Sequence, residues 1–425
     1  MDVPMIVCLA LAVGGLCQSA LMLVHAYEQR RHYARRLASA VNPDSDLPVT
    51  LIIPCKGIER DLRKNLGALF GQRYPKYTLC FVVESDGDPA VPIIGALMRE
   101  NPQIPSRLVI AGHARDCGQK VHNLMFAAQS VLDTTDQVPD VLAFVDSDAC
   151  PHSEWLARLI SRLASGKNAV ATGYRWYLPA TRNWANRVLS AINNVVIGLT
   201  GPHGFNLVWG GAWAIRTENF RALGLPEVWR ASLSDDLVVS RLVREAGMRV
   251  AYEPHCLVIS AADFTPSTLF EFLRRQFLVV RIYAPLWWQF AFWTGLATNL
   301  CFWGTVGLAA FWGLTRGPWP LPLAAMAAYY LAGALRCHLA ARAVRPFVAV
   351  LDADYDRVAR LNIWGWPLVV WAAWLATASA SFGRTIVWRG VRYRLDSSRH
   401  TTVFENSAEL RQESDSHART TTRAA

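Results

Sequence analysis

Charge is scarce in this sequence. Of 425 residues only 18% are Asp, Glu, Lys or Arg, while 52% are hydrophobic. That balance is too apolar for an ordinary soluble chain of this size. Paired cysteines are missing as well. Nine stand singly, at 8, 17, 55, 80, 117, 150, 256, 301 and 337. No C-x-x-C occurs, which argues against a zinc site or a disulfide framework and leaves them as small apolar side chains. There is no internal repeat. No Lys or Arg precedes the first apolar run, MIVCLALAVGGLCQSALMLVHAY (5–27), whereas a cleaved signal peptide carries positive charge in front of such a run. Here Arg30, Arg31, Arg35 and Arg36 follow it. We therefore expect a transmembrane anchor over 1–27 with its N-terminus outside, then a basic linker over 28–47 in the cytoplasm.

Tryptophan is plentiful. Most of the 17 lie after residue 280, as suits a membrane boundary. Three apolar segments, 286–314, 321–340 and 363–382, make 285–384 an expected C-terminal transmembrane region of about three spans. The chain reads as a multi-pass integral membrane protein whose intervening domain is cytoplasmic. The net charge is +10, but the basic residues hug the apolar segments and form no separate patch, which argues against nucleic acid. The count of spans leaves a conflict. Four crossings put the basic WRGVRYR (388–394) outside, against the positive-inside tendency, so one segment is re-entrant or miscounted. The polar stretch 396–425 reads as a disordered tail.

Between the apolar ends, strand-like and helix-like segments alternate. VTLIIP, YTLCFVV, IPSRLVI and VLAFV read as strands, with helical spacing after each, and AVATGYRWY, LVWGGAWAI and RVAYEPHCLVI continue the pattern. This is the signature of an α/β domain with a parallel sheet and helices on both faces. Ligands of such sheets bind beyond the carboxyl ends of the strands. Two acidic loops fall there.

The first is VVESDGDP, with Glu84, Asp86 and Asp88, which can accept hydrogen bonds from a base or ribose or form an ordinary acidic turn. The second is FVDSDA. Asp146 and Asp148, one residue apart, can grip Mg²⁺ or Mn²⁺ and through it a diphosphate; alternatively Asp148 caps the next helix. Lys120 and Asn123 open a helix in GQKVHNL, where a lysine suits a phosphate. Asp235 and Asp236 begin a further helix in SLSDDLVV; one carboxylate can cap it and the other can act as a general base. Gly210 and Gly211 in GPHGFNLVWGGAW allow close backbone approach, and His203 could meet an acceptor headgroup or be purely structural. FEFLRRQFLVVRIYAP (part of 265–284) spaces arginines among long apolar residues, as in an interfacial amphipathic helix.

Taken together, IIPCKG, VVESDGDPA, FVDSDA and SDD over about residues 48–285 resemble the GT-A glycosyltransferases of family 2, and within them the ceramide glucosyltransferases and their bacterial hopanoid-associated and ceramide glycosyltransferase relatives. WRGVRYRL is similar to a segment of the bacterial members. The resemblance implies a GT-A nucleotide-sugar domain, Rossmann-like with a mixed sheet, over 48–264. It implies a donor site using Lys56, Glu84, Asp86, Asp88, Lys120, Asn123 and Asp146, and a metal, Mg²⁺ or Mn²⁺, on Asp146 and Asp148. Asp236 would be the base, with Asp235 as its rival. The partners implied are a nucleotide-sugar such as UDP-glucose and a membrane lipid such as ceramide, with a hopanoid, polyprenyl phosphate or diacylglycerol as alternatives. Family members carry (Q/R)xxRW on the interfacial helix. Here Arg274, Arg275, Gln276 and Arg281 supply the polar residues, Arg275 stands for the motif arginine, and Gln276 stands where the Trp would be. That departure speaks against a processive polymerase and admits a non-catalytic, vestigial domain as a further alternative.

Overall fold

The computed structural model describes residues 3–40, 47–134, 138–164, 166–181, 183–204, 206–348 and 352–404. Part of the expected linker (41–46) and of the expected tail (405–425) lies outside the described residues. The centre is a seven-stranded sheet built from β1 (Val49–Pro54), β2 (Tyr77–Val83), β3 (Ser106–Ile110), β4 (Val141–Val145), β5 (Val170–Pro179), β6 (Ala212–Arg216) and β7 (Val250–Ala262), in the order β3-β2-β1-β4-β6-β5-β7. β6 runs antiparallel to both neighbours and the other pairings are parallel, so the sheet is mixed. β1, β2 and β4 are continuous apolar runs because both their faces are covered.

The period of two sorts their side chains. Leu51, Ile53, Phe81 and Ala143 pack toward α2 (Leu62–Phe70), α3 (Val91–Glu100) and α5 (Trp155–Ser161). Ile52, Val82, Leu142 and Phe144 pack toward α4 (Gln119–Thr134), α7 (Thr217–Ala222), α8 (Leu225–Trp229) and α9 (Asp235–Glu245). On that face Phe144 stacks on Trp213 at 4.1 Å, and Trp229 stands edge-on to both.

A helical layer lies beside the sheet. It comprises α1 (Val3–Leu37), α6 (Trp184–Ile197), α10 (Pro266–Tyr283), α11 (Pro285–Thr315), α12 (Pro320–Val344), α13 (Asp352–Trp364) and α14 (Trp366–Ser379). Among the described residues α1 is long and apolar enough to cross a membrane. Its helix does not stop at residue 27. The segment 28–37, expected as linker, continues it and docks on the sheet domain. Gln29 donates to the Ile197 carbonyl (2.7 Å), Tyr33 to Tyr252 (3.2 Å), and Arg36 pairs with the fully buried Glu253 (2.6 Å). Continuous partners for the helix's polar face explain why the basic run stays helical.

The third C-terminal apolar segment is not one straight helix. α13 and α14 are bent by 88° at Gly365. A Cβ there would meet the Leu361 carbonyl at 2.8 Å, and Pro367 cannot donate to a continuing helix. After the bend, β8 (Thr385–Trp388), β9 (Val391–Ser397) and β10 (His400–Phe404) form a small antiparallel sheet. Residues 396–404 were expected as part of a disordered tail. They are ordered because β10 pairs with β9, and Leu395, Tyr393 and Ile386 join the core of α4, α8 and α9. WRGVRYR therefore lies against the sheet domain, on that domain's side.

Candidate active site

The site grows from the carboxyl ends of β1 and β4. Apolar β4 ends at Val145, and the next turn delivers Asp146, Ser147 and Asp148. Two cations meet them. Lys120, one residue into α4, places Nζ 2.8 Å from Asp146 Oδ1, 3.3 Å from Asp235 Oδ1 and 3.2 Å from the Gly210 carbonyl. Arg175, from β5, forks across both carboxylates, with Nη2 3.3 Å from Asp146 and Nη1 3.2 Å from Asp148. Its guanidinium also lies over Trp209 (4.6 Å) and Tyr177 (5.3 Å). The positive charge that balances the two acids is thus supplied by the chain itself.

The knot is half-buried, with Asp235 fully so, and burial disfavours charge. Burial opposes the charge on Lys120, but Asp146, Asp235 and Asp236 outweigh it and raise the lysine's pKa. Arg175 behaves alike: burial opposes its charge, and Asp148, Tyr177 and Asp146 raise its pKa. Asp235 shows the reverse balance. Burial pushes its carboxyl up to about 7 against the pull of Lys120, with Asp236 and Asp146 adding to the rise.

The two neighbouring aspartates of α9 differ sharply. Asp235 is buried, its Oδ2 has no hydrogen-bond partner, and it does not line the cavity. Asp236 does line it. Its Oδ2 accepts from the Gly210 amide (2.7 Å), and its Oδ1 from the Leu237 amide (2.7 Å) and Ser234 Oγ (2.6 Å). Gly210 is held between them. A Cβ on it would come within 2.8 Å of Asp235 Oδ2, 2.9 Å of Lys120 Nζ and 3.1 Å of Asp236 Oδ2.

These groups open into one cavity of about 830 Å³. It begins at Lys56, Asn123, Asp146, Asp148 and Asp236 and continues between α1, α6, α10, α11, α12 and α14, past Leu199, Phe277, Phe290 and Trp374. His203, Arg275 and Gln276 line it as well. His203 Nε2 bonds the Leu199 carbonyl (3.0 Å), its Nδ1 is buried without a partner, and burial lowers its pKa. Arg275 lies over Phe272 (5.4 Å) and over Trp388 (5.8 Å), a ring that comes from β8 and not from α10.

Besides Asp235, five expected residues stand apart from the cavity lining. Glu84 pairs with Lys56 (2.7 Å). Asp86 is exposed. Asp88 accepts from the amides of Gly57 (2.9 Å) and Ala90 (2.8 Å), joining the loops after β1 and β2. Arg274 and Arg281 donate to the carbonyls of Phe382, Ser381 and Gly383, clamping the chain after α14. Arg175, Glu59 and Ser147 were not anticipated. The signal for Arg175 was a charged residue inside the aromatic run GYRWY, in a strand otherwise apolar.

The acids suit a hard cation. The donor set is oxygen only, and Asp148 Oδ1 is buried with no hydrogen-bond partner among the described residues. Among the described residues no cluster of three or more His, Cys, Asp or Glu side chains is gathered as a metal cage. Mg²⁺-type sites can use one or two carboxylates and complete the shell with phosphate and water.

Carboxylates and cations at the carboxyl ends of parallel strands make this a ligand site of the α/β type. The chain belongs to glycosyl transferase family 21, whose sequence pattern matches residues 7–401. Ceramide glucosyltransferase 3 of Caenorhabditis elegans is 34% identical over 114 residues, 27% of this chain and 25% of that protein. Ceramide glucosyltransferase 1 of the same organism is 30% identical over 136 residues, 32% of this chain and 29% of that one. The chain thus spans less than a third of the length of these relatives. A mannosyltransferase from Pyrobaculum calidifontis, solved with GDP-Man and Mn²⁺, aligns over 87% of this chain and 97% of its own at 16% identity and a TM-score of 0.45, too loose to bear on the site.

Proposed function

We propose that the protein is an inverting, membrane-bound glycosyltransferase with a GT-A domain, moving one sugar from a nucleotide-sugar, specifically UDP-glucose, to a lipid of the ceramide type. The observation that carries this is the continuity of one cavity from Asp146, Asp148 and Asp236 to the apolar faces of α1, α11, α12 and α14. A water-soluble donor suits the polar mouth and a hydrocarbon chain suits the helical end. In this reading α1, α11 and α12 cross the bilayer, and the bent pair α13–α14 enters and returns. The sheet domain and the β8–β10 sheet then share the cytoplasmic face, and WRGVRYR obeys the charge rule.

Asp146 and Asp148 would hold Mg²⁺ or Mn²⁺, which when bound supplies charge stabilisation for the leaving diphosphate. Lys120 pairs with Asp146 and, less closely, with Asp235. Asp236, held by Gly210, Leu237 and Ser234, is oriented toward the cavity and takes the proton of the acceptor hydroxyl. That oxygen bonds to the anomeric carbon as the bond to the diphosphate oxygen breaks, so nucleoside diphosphate leaves and the configuration inverts. Arg275, a cavity cation bonded to the Val387 carbonyl (3.4 Å), suits the departing phosphates.

The test is transfer of radiolabelled UDP-glucose to ceramide in membranes containing the chain. Labelled lipid is expected with Mn²⁺ or Mg²⁺. It should vanish with EDTA and fall about 10³-fold in Asp236→Asn at little change in KM. Label in hopanoid, polyprenyl phosphate or diacylglycerol instead would replace the acceptor. Silence with every donor and acceptor, while UDP still binds, would favour the vestigial domain.

A further inference from the structure

The WRGVRYR segment takes no part in the chemistry above, yet its tip reaches the site. β8 and β9 turn at Arg389 and Gly390, both with positive φ (49° and 82°). The tip is held from behind: Ile386, Tyr393 and Leu395 are buried with Trp229 and Leu237, and Tyr283 of α10 links Thr401 (3.3 Å) to the Leu233 amide (2.8 Å) just before α9. In front, Arg389 lines the cavity and crosses to the loop after β1. It donates to the Lys56 carbonyl at 2.8 Å and to the Glu59 carboxylate. The other oxygen of Glu59 accepts from Ser147 Oγ at 2.9 Å. Ser147 is the residue between Asp146 and Asp148, and it is buried.

We propose that Arg389 is a positioning residue for the Asp146–Asp148 loop, acting through Glu59 and Ser147. The physical need is plain. Glu59 brings a third carboxylate beside two others, and like charges so gathered repel. The guanidinium offsets the charge of Glu59 and fixes where its free oxygen points. A fixed, ionised Glu59 then holds Ser147 by a charge-assisted bond, and Ser147 sets the turn on which both aspartates stand. Without Arg389 the carboxylate is repelled and the turn loses its hold on the Ser147 side chain, keeping the bond from Asn65 Nδ2 to the Ser147 carbonyl (3.3 Å). Outer partners of this kind change metal affinity by about 10–100-fold.

The measurement is Mn²⁺ binding to the full-length chain in detergent with UDP present, read as loss of the free-ion resonance signal. It needs no turnover, and only the identity of the metal site rests on the function proposed above. Arg389→Ala is expected to weaken Mn²⁺ binding about tenfold, and Arg389→Lys, which keeps the charge without the fork, less. Ser147→Ala breaks the same chain from its other end and leaves the hairpin intact, so it should match Arg389→Ala. The double variant Arg389→Ala/Ser147→Ala should lose no more than either single one. Unchanged affinity in a folded Ser147→Ala, or strictly additive losses, would overturn the inference. If Arg389→Ala does not fold, Ser147→Ala and Glu59→Gln decide the matter by the same criterion. Expected Mn²⁺ cycles without sugar transfer by the wild type would refute the function and leave the hairpin's role standing. Transfer with unaltered Mn²⁺ affinity in the variants would do the reverse. No Mn²⁺ binding by the wild type refutes both.

Discussion

At the scale of single residues, Gly210 shows how tightly the site is drawn. Its missing side chain lets Lys120, Asp235 and Asp236 share one point, so Gly210→Ala must push at least one charge away. Transfer activity is expected to fall by about 100-fold, as displacement of catalytic groups by an ångström does, with the folded fraction on gel filtration retained. Asp235 gives a different signature. Its native carboxyl titrates near 7, above an ordinary aspartate, because burial outweighs Lys120. The folded chain therefore holds this proton more tightly than the unfolded chain. Its contribution to stability is full below the unfolded value, near 4, and is lost as pH rises through about 7. Thermal unfolding of the wild type and Asp235→Asn between pH 4.5 and 8 should show the wild type losing ground relative to the variant across that window. Parallel curves would rule this out. The carboxylates were legible in the sequence because a strand seldom ends in two charges without a use for them. Arg175 was not, since one arginine in a strand carries no mark of what it faces until β5 is laid two strands away from β4.

At the scale of elements, the strands of the sheet were readable from their unbroken apolar runs, and α9 from its spacing. The ends of elements were less so. α1 runs ten residues beyond the apolar stretch because Tyr33 and Arg36 find partners on β7, a contact that no local pattern announces. Arg36→Ala should expose the importance of that dock. It leaves Glu253, fully buried, with the His255 amide (3.3 Å) and the more distant Arg162 (3.7 Å). A loss of about 3 kcal/mol is expected, as for breaking a buried pair, and would be seen as a lowered Tm in detergent. The acidic loop after β2 has contacts that were hidden for a related reason. Asp88 in sequence looks like a ligand group, whereas in the fold its oxygens face the Gly57 and Ala90 amides.

For the whole molecule, the sequence pattern carried a conflict over sidedness, and the bent α13–α14 pair offers its physical resolution. In the topology proposed above, three crossings would put the sheet domain and the small C-terminal sheet together, with the α11–α12 turn opposite. Cysteine labelling of sealed vesicles tests this. Arg316→Cys should react with an impermeant reagent from the outside, and Arg115→Cys and Arg399→Cys only after permeabilisation, each read above the native cysteine background. Labelling of Arg399→Cys from outside would require a further crossing.

The contact of Arg389 with Glu59 joins positions 330 residues apart. Everything between them, including α10–α14, must be synthesised before the hairpin tip can reach the loop after β1. Maturation of this protein is then ordered in time. A chain that lacks β8 and β9 has the sheet and its acidic loops but not the contact of Arg389 with Glu59. On the inference drawn above, the Asp146–Asp148 turn gains its final tether only when β8 and β9 pair.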